Sequence, residues 1–421
     1  MKIIWTTLAL FGAFIIALNP HSEARGKNAN AIALTHITVI DANGVKPNVT
    51  LIVRAGKISE YLPGDSEIPA DLAVFDLKGK FVIPGLIDAH VHLTRGPTTK
   101  IQHDLELALK GGITAVRDMA GNVPRIQSMQ TPKTPSIYTS ALFAGNTFFS
   151  DPRTAAAAHP HPPGKAPWQV AITEDSDYFG LVKNAKDQGV QGIKLYADLK
   201  PNEVMELCRV AKSEGLKVWG HATLFPSQPE QLVEAGVEAL SHAALIGWQA
   251  HPEIPDHYHQ ASRDSQVIFK HSDPTRFQSL FQKMKQYNCF LEPTLLLMEK
   301  IEEGKAGENL DTWSCKVTQL ALQSGVLLNI GTDRMGPEPG SNTPNIHFEM
   351  EKLVKEVGMS PMEVIKAATF HNAKVLGISD QVGTLSCGMQ ADLVILNANP
   401  LEEISNSRDI FAVLKTGEWV H

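Results

Sequence analysis

Val82-Ile83-Pro84-Gly85-Leu86-Ile87-Asp88-Ala89-His90-Val91-His92 decides how this chain is read. It is an apolar strand that delivers two histidines at its C-terminal end. Residues i and i+2 of a strand point to one side, so both imidazoles face together. Neutral imidazole is a common metal ligand, which makes the pair a candidate metal site. Beyond residue 84, short apolar runs ending in polar residues alternate with helix-length amphipathic segments, the sequence form of a parallel (β/α)8 barrel of the TIM type. Strands are predicted at 86–92, 114–118, 136–141, 192–196, 217–221, 239–243, 289–294 and 327–332. Helices are predicted at 201–214, 228–235 and 315–324, and another opens with Ser360, Pro361 and Glu363 and stops at Gly377.

The same strand ends collect further chemistry. His221 closes Lys217-Val218-Trp219-Gly220-His221, and His242 follows Glu238-Ala239-Leu240-Ser241. Asp333 ends Leu327-Leu328-Asn329-Ile330-Gly331-Thr332-Asp333, and Lys194 lies within Gly192-Ile193-Lys194-Leu195-Tyr196. Taken singly, each has a plain structural explanation: a hydrogen-bonded core His, a loop Asp, an ion-paired or snorkelling Lys. Together they gather at the strand ends where such barrels carry their sites. The longest loops, about 145–175, 244–274 and 334–346, leave that same rim.

The flanks read differently. Residues 32–83 hold β-branched runs separated by turn signals, and 391–396 and 411–414 are strand-like again. The expected organisation is a signal peptide at 1–24, a barrel at 84–378, and a small β-sandwich formed by 25–83 with 379–421. Lys2, the apolar run 3–18 and Ser22-Glu23-Ala24 predict export to the periplasm or beyond, with no stable membrane insertion after cleavage. A net charge of −7 supplies no basic footprint, so nucleic acid is not an expected partner. The four cysteines are scattered without CxxC spacing and read as buried free thiols. Oligomeric state is left open, a homo-oligomer included.

These motifs together resemble the amidohydrolase superfamily, and within it the branch of imidazolonepropionase-like proteins and zinc-dependent dipeptidases. The residues that carry the likeness are 84–92, Gly111-Gly112-Ile113-Thr114-Ala115-Val116-Arg117-Asp118, Gly331-Thr332-Asp333, Gly383-Thr384-Leu385 and 388–394. The resemblance implies two divalent ions, zinc by expectation. His90, His92 and Asp333 would hold the more buried one, and His221 and His242 the other. Lys194 would bridge them as a carbamate, because an ammonium group cannot ligate a cation. A bridging hydroxide would then attack an amide carbonyl, with Asp333 as proton shuttle.

The implied substrate is a small molecule with an amide or ester carbonyl, of the dipeptide or N-acyl amino acid class. Alternatives are a cyclic amide, lactone or ester at the same site. A mononuclear deaminase would lack the Lys, and a non-catalytic binding protein would usually lack ligands. Tyr196, on the face of Lys194, is a candidate carbonyl donor. Dipeptidase relatives carry a Gly-Gly-His turn after the third strand, where this chain has Phe143-Ala144-Gly145-Asn146-Thr147-Phe148. His159 and His161 arrive later and are the remaining candidates for substrate contact. Arg117 and Asp118 are read as structural, Arg334 as a candidate for a substrate carboxylate, and His251, His257 and His259 as solvated.

Overall fold

The computed structural model describes residues 31–261, 274–304, 309–334 and 336–421, so the export segment expected at 1–24 lies outside the described residues. Strands β1 (Ala31–Asp41), β2 (Gly44–Arg54) and β3 (Lys57–Pro63) form an antiparallel meander. On the other side of β1, β4 (Ala73–Asp76) and β5 (Phe81–Pro84) run parallel to it.

The barrel follows at once. Its parallel strands are β6 (Leu86–Val91), β7 (Ile113–Asp118) and β8 (Ser136–Gly145), then β11 (Gly192–Leu195), β12 (Lys217–His221), β13 (Ala239–Ser241) and β14 (Phe290–Glu292). Along the chain between β8 and β11 comes a hairpin of β9 (Lys165–Ala166) and β10 (Gln169–Ile172), which lies on the side of β8 away from β11. β7 pairs with the first half of β8, and β10 takes over along its second half. The long loop expected at 145–175 therefore carries regular structure of its own, with a short helix at Arg153–Ala158 and this hairpin.

The eighth predicted strand, 327–332, is extended but makes only one isolated bridge, Leu291 to Leu328. A side chain takes the place of its ladder toward β6. Asn372 accepts from the Ile330 N–H (3.0 Å) and donates to the Ile330 carbonyl (2.8 Å) and the Ile87 carbonyl (2.5 Å). Ile330 O also accepts from Ala89 N, and His90 O from Asp333 N, so the seam is closed. A buried backbone needs such partners wherever ladder bonds fail.

After the barrel, β15 (Leu393–Leu396), β16 (Ile410–Lys415) and β17 (Glu418–Trp419) return to the first unit. β15 lies antiparallel to β5, which makes one mixed eight-stranded sheet in the order β17-β16-β15-β5-β1-β2-β3, with β4 beside β1. Its apolar core, including Leu34, Val39, Val82, Leu393 and Leu414, is separate from that of the barrel.

The helices follow their sequence signals. In Pro201–Ser213, Val204, Leu207, Cys208 and Ala211 recur at the 3.6 period and are buried. Leu310–Gln323 starts earlier than predicted because Asn309 caps it, accepting from Thr312 N at 3.0 Å. At Pro361, the Ser360 and Glu363 side chains and backbones bond reciprocally as a capping box. All four cysteines are free, but Cys387 is exposed, not buried as expected. No helix among the described residues is long and apolar enough to cross a membrane.

Candidate metal centre

The strand ends bring the predicted ligands together. One ligand atom from each of His90, His92 and Asp333 lies within 4.8 Å of the others. His92 Nε2 stands 3.1 Å from Asp333 Oδ1, while His90 Nε2 and His242 Nε2 stand 3.8 and 3.9 Å from Oδ2. The His221 and His242 rings are 4.6 Å apart, and those of His242 and His90 5.1 Å. Two of these residues are aimed by an unusual backbone: Asp333 (φ 51°) and His242 (φ 72°) occupy the left-handed region. That conformation costs about 1–3 kcal/mol per residue, so the surrounding barrel must enforce it. Gly331 is needed for the same reason of space. A Cβ there would meet the His90 Cβ at 2.4 Å.

Burial sets the protonation states. It holds His90 and His242 at about 4 and His92 at about 3, and pushes His221 well below its ordinary value. All four imidazoles are therefore neutral at pH 7 and offer a lone pair. Burial opposes charge on Asp333, but the imidazoles around it outweigh that and hold its carboxyl well below the usual range.

Glu292, which sequence reasoning missed, organises the centre from beneath. Its carboxylate is fully buried, yet Arg117 and His90 hold it at about 2 against the opposing effect of burial. It accepts from Arg117 Nη2 (2.6 Å), Ser241 Oγ (2.8 Å), Asn329 Nδ2 (2.8 Å) and His90 Nδ1 (2.7 Å). Since this carboxylate is ionised, His90 Nδ1 must be the donor, which leaves Nε2 as the bare acceptor. That atom is buried and has no hydrogen-bond partner. Thr294 does the same for His242. Its hydroxyl donates to Pro293 O (2.8 Å), so it accepts from His242 Nδ1 (2.8 Å) and leaves Nε2 free. A buried polar atom without a partner costs about 1–3 kcal/mol, so an acceptor aimed at a carboxylate calls for a cation between them. The donor set therefore fits divalent metal ions.

Lys194 is completely buried, and among the described residues the only hydrogen bond of its side chain is a 3.3 Å donation to Met119 O. No carboxylate among the described residues lies within 4.0 Å of its Nζ, which removes the ion-pair explanation. Burial lowers its pKa to about 8, so about one amine in ten is neutral at pH 7. A neutral amine is what carbamylation requires.

Other candidates divide. Tyr196 packs against His221 at 3.9 Å between ring centroids, with Lys194 Nζ 5.1 Å from its own ring. Burial raises its pKa, so the phenol stays protonated and can donate. The structure does not bring His159 and His161 to the centre. Both are exposed; His161 packs edge-on against Trp168, and the His159 carbonyl accepts from Asn122. The flanking prolines present them outward on a turn. Arg334 is taken by Glu338 at 2.5 Å. His251 is half-buried against Trp248, not solvated, whereas the His257 side chain is 45% exposed, as expected of a solvated residue, with Nδ1 3.8 Å from Asp198. Arg117 and Asp118 are structural, the latter accepting from Leu93 N at 2.6 Å. A Glu ending an apolar barrel strand was the available signal for Glu292, but its partners lie up to 202 residues away.

Residues 81–420 match the profile of the amidohydrolase family. The chain is 24% identical to ochratoxinase of Aspergillus niger over 404 residues, 87% of this chain and 81% of that protein. It is 21% identical to adenine deaminase of Desulfatibacillum aliphaticivorans over 89% of this chain, but spans only 56% of that longer protein. A crystal structure described as a Xaa-Pro dipeptidase with bound methionine superposes with a TM-score of 0.72 at 20% identity, covering 92% of this chain and 99% of that one.

Proposed function

The chain belongs to the amidohydrolase family, and from that premise we propose that it is a binuclear metal-dependent hydrolase of amide bonds, acting on dipeptides or N-acyl amino acids. The observation that carries the reading is the bare, buried Nε2 of His90 facing Asp333 among neutral imidazoles. His90, His92 and Asp333 would hold one ion, His221 and His242 the second, with Lys194 between them as its carbamate. When bound, divalent ions would polarise a carbonyl oxygen and acidify a water.

The chain's own residues do the rest. Asp333, ionised and at the mouth, takes the proton of the attacking water on a carboxylate oxygen. Water adds across the C–N bond, and the same oxygen returns that proton to the leaving nitrogen, so the products are a carboxylic acid and an amine. Tyr196, protonated, would donate to the carbonyl oxygen as charge develops there. Glu292 and Thr294 keep His90 and His242 in the tautomers that present Nε2. The dipeptidase likeness supports the substrate class, and Lys194 supports two ions over one. Elemental analysis of purified protein with a panel of dipeptides and N-acyl amino acids tests the reading. About two ions per chain and release of free amino acid are expected. One ion per chain with ammonia release would replace it with deamination. Export on residues 1–24 belongs to the same reading, and the N-terminal sequence of the secreted protein tests it.

A further inference from the structure

A cleft of about 230 Å³ opens beside His92 and Asp333, between the segment after β6 and the loop after Asp333. Three cations line it: Arg95, Lys100 and Arg334. Two are already neutralised from within the chain. Lys100 Nζ pairs with the buried Asp104 at 2.5 Å, and Arg334 with Glu338 at 2.5 Å. Arg95 differs. Among the described residues its one ion pair is a 3.4 Å approach of Nη1 to Asp333 Oδ1, and its side chain is 59% exposed. Asp333 is meanwhile shared with three imidazoles. A guanidinium has five N–H donors in a fork that fits a carboxylate, so Arg95 keeps most of its capacity for a ligand.

We propose that Arg95 is the specificity-determining residue that receives the free carboxylate of the substrate's leaving amino acid. This rests on the hydrolase reading above and names the residue that would recognise its substrate class, amides whose leaving amine is an α-amino acid. The argument is one of connectivity. In an N-acyl amino acid or dipeptide, the carboxylate carbon is two bonds from the scissile nitrogen. The group that binds it must therefore sit beside the group that protonates that nitrogen. Arg95 Nη1 at 3.4 Å from Asp333 meets that condition, and Arg334, turned onto Glu338, does not.

The test uses the metal-loaded protein, Arg95→Ala and Arg95→Lys. Turnover is measured on N-acetyl-L-phenylalanine and on its neutral counterpart N-acetyl-L-phenylalaninol. Binding is measured separately, by calorimetry, for L-phenylalanine and L-phenylalaninol, which need no hydrolysis. Arg95→Ala is expected to raise KM for the acid roughly 10- to 100-fold, with kcat within about threefold and the alcohol unaffected. Arg95→Lys should recover part of the loss, since an ammonium keeps the charge but not the fork. In binding, the preference for L-phenylalanine over L-phenylalaninol should vanish in Arg95→Ala. Preference in binding without any turnover would overturn the hydrolase reading and keep the carboxylate site. A wild type indifferent to the carboxylate, or equal losses for acid and alcohol in Arg95→Ala, would overturn the carboxylate site itself.

Discussion

At the barrel mouth, ligand atoms of His90, His92 and Asp333 lie within 4.8 Å of one another; on the outer helices, those of Asp311, Cys315 and Glu356 do the same. The two groups differ in what already sits among them. Lys352 Nζ enters the outer one, 3.1 Å from Asp311, 2.9 Å from Glu356 and 3.2 Å from Glu299. Burial opposes the charge on Lys352, but Glu356 and Asp311 outweigh it and raise its pKa. Burial also pushes the Cys315 thiol up, so it remains a thiol and not a ligand thiolate. In the inner group Arg95 reaches Asp333 Oδ1 at 3.4 Å, but nothing among the described residues hydrogen-bonds His90 Nε2, which is left bare. Closeness of ligand-type residues is thus a weak sign of a metal site. A stronger one is a buried lone pair held unsatisfied by a partner that fixes its tautomer.

The sharpest way to break this contrast is to remove one ligand from each group. His90→Ala should cost about a thousandfold or more in kcat/KM and lower bound metal, whereas Asp311→Asn should change neither. Elemental analysis beside initial rates decides it, and equal effects would abolish the distinction. Next in size is Lys194→Ala, expected to lose one ion per chain and about a hundredfold in activity, with partial rescue by short carboxylic acids such as acetate. Full activity at unchanged metal content would sink the bridging role. Glu292→Gln keeps the shape but weakens the hold on His90, and should cost about 10- to 100-fold in metal affinity. Competition with a chromogenic chelator reads that directly.

Two smaller effects concern stability. Lys352→Met leaves Asp311 and Glu356 without their cation and should lower unfolding free energy by about 1–3 kcal/mol in urea, with activity retained. His347 supplies a contrast with His90, because both its nitrogens are satisfied, by Ser407 Oγ (2.9 Å) and Gly111 O (2.9 Å). Burial holds it at about 4, below the ordinary 6.5. Between those values the unfolded chain binds a proton that the folded chain does not, so stability falls as pH drops from 6.5 toward 4. His347→Gln should flatten that slope by up to about 1.4 kcal/mol per pH unit. An unchanged slope would place the acid sensitivity elsewhere.

Strand periodicity and the polar ends of apolar runs were enough to place His90, His92, His221, His242, Lys194 and Asp333 on one rim, because local pattern sets which way a strand's side chains face. The capping box at Ser360 was readable for the same reason: its partners are three residues apart. The last strand was harder. Its closure depends on Asn372, 42 residues further on, whose amide replaces a ladder. Likewise nothing near Glu292 in sequence announces its bonds to His90 and Arg117, which follow only when the sheet curls. Arg95 and Arg334 look alike in sequence, one following the strand of His90 and His92 and the other following Asp333. Their difference lies in Glu338, which folds back onto one and leaves the other open. Sequence alone determined the candidate ligand types and the rim they share, since those follow from spacing along a strand. Tertiary structure decided which lone pairs are bare, which charges are spent and which remain for a substrate, because those depend on partners far along the chain.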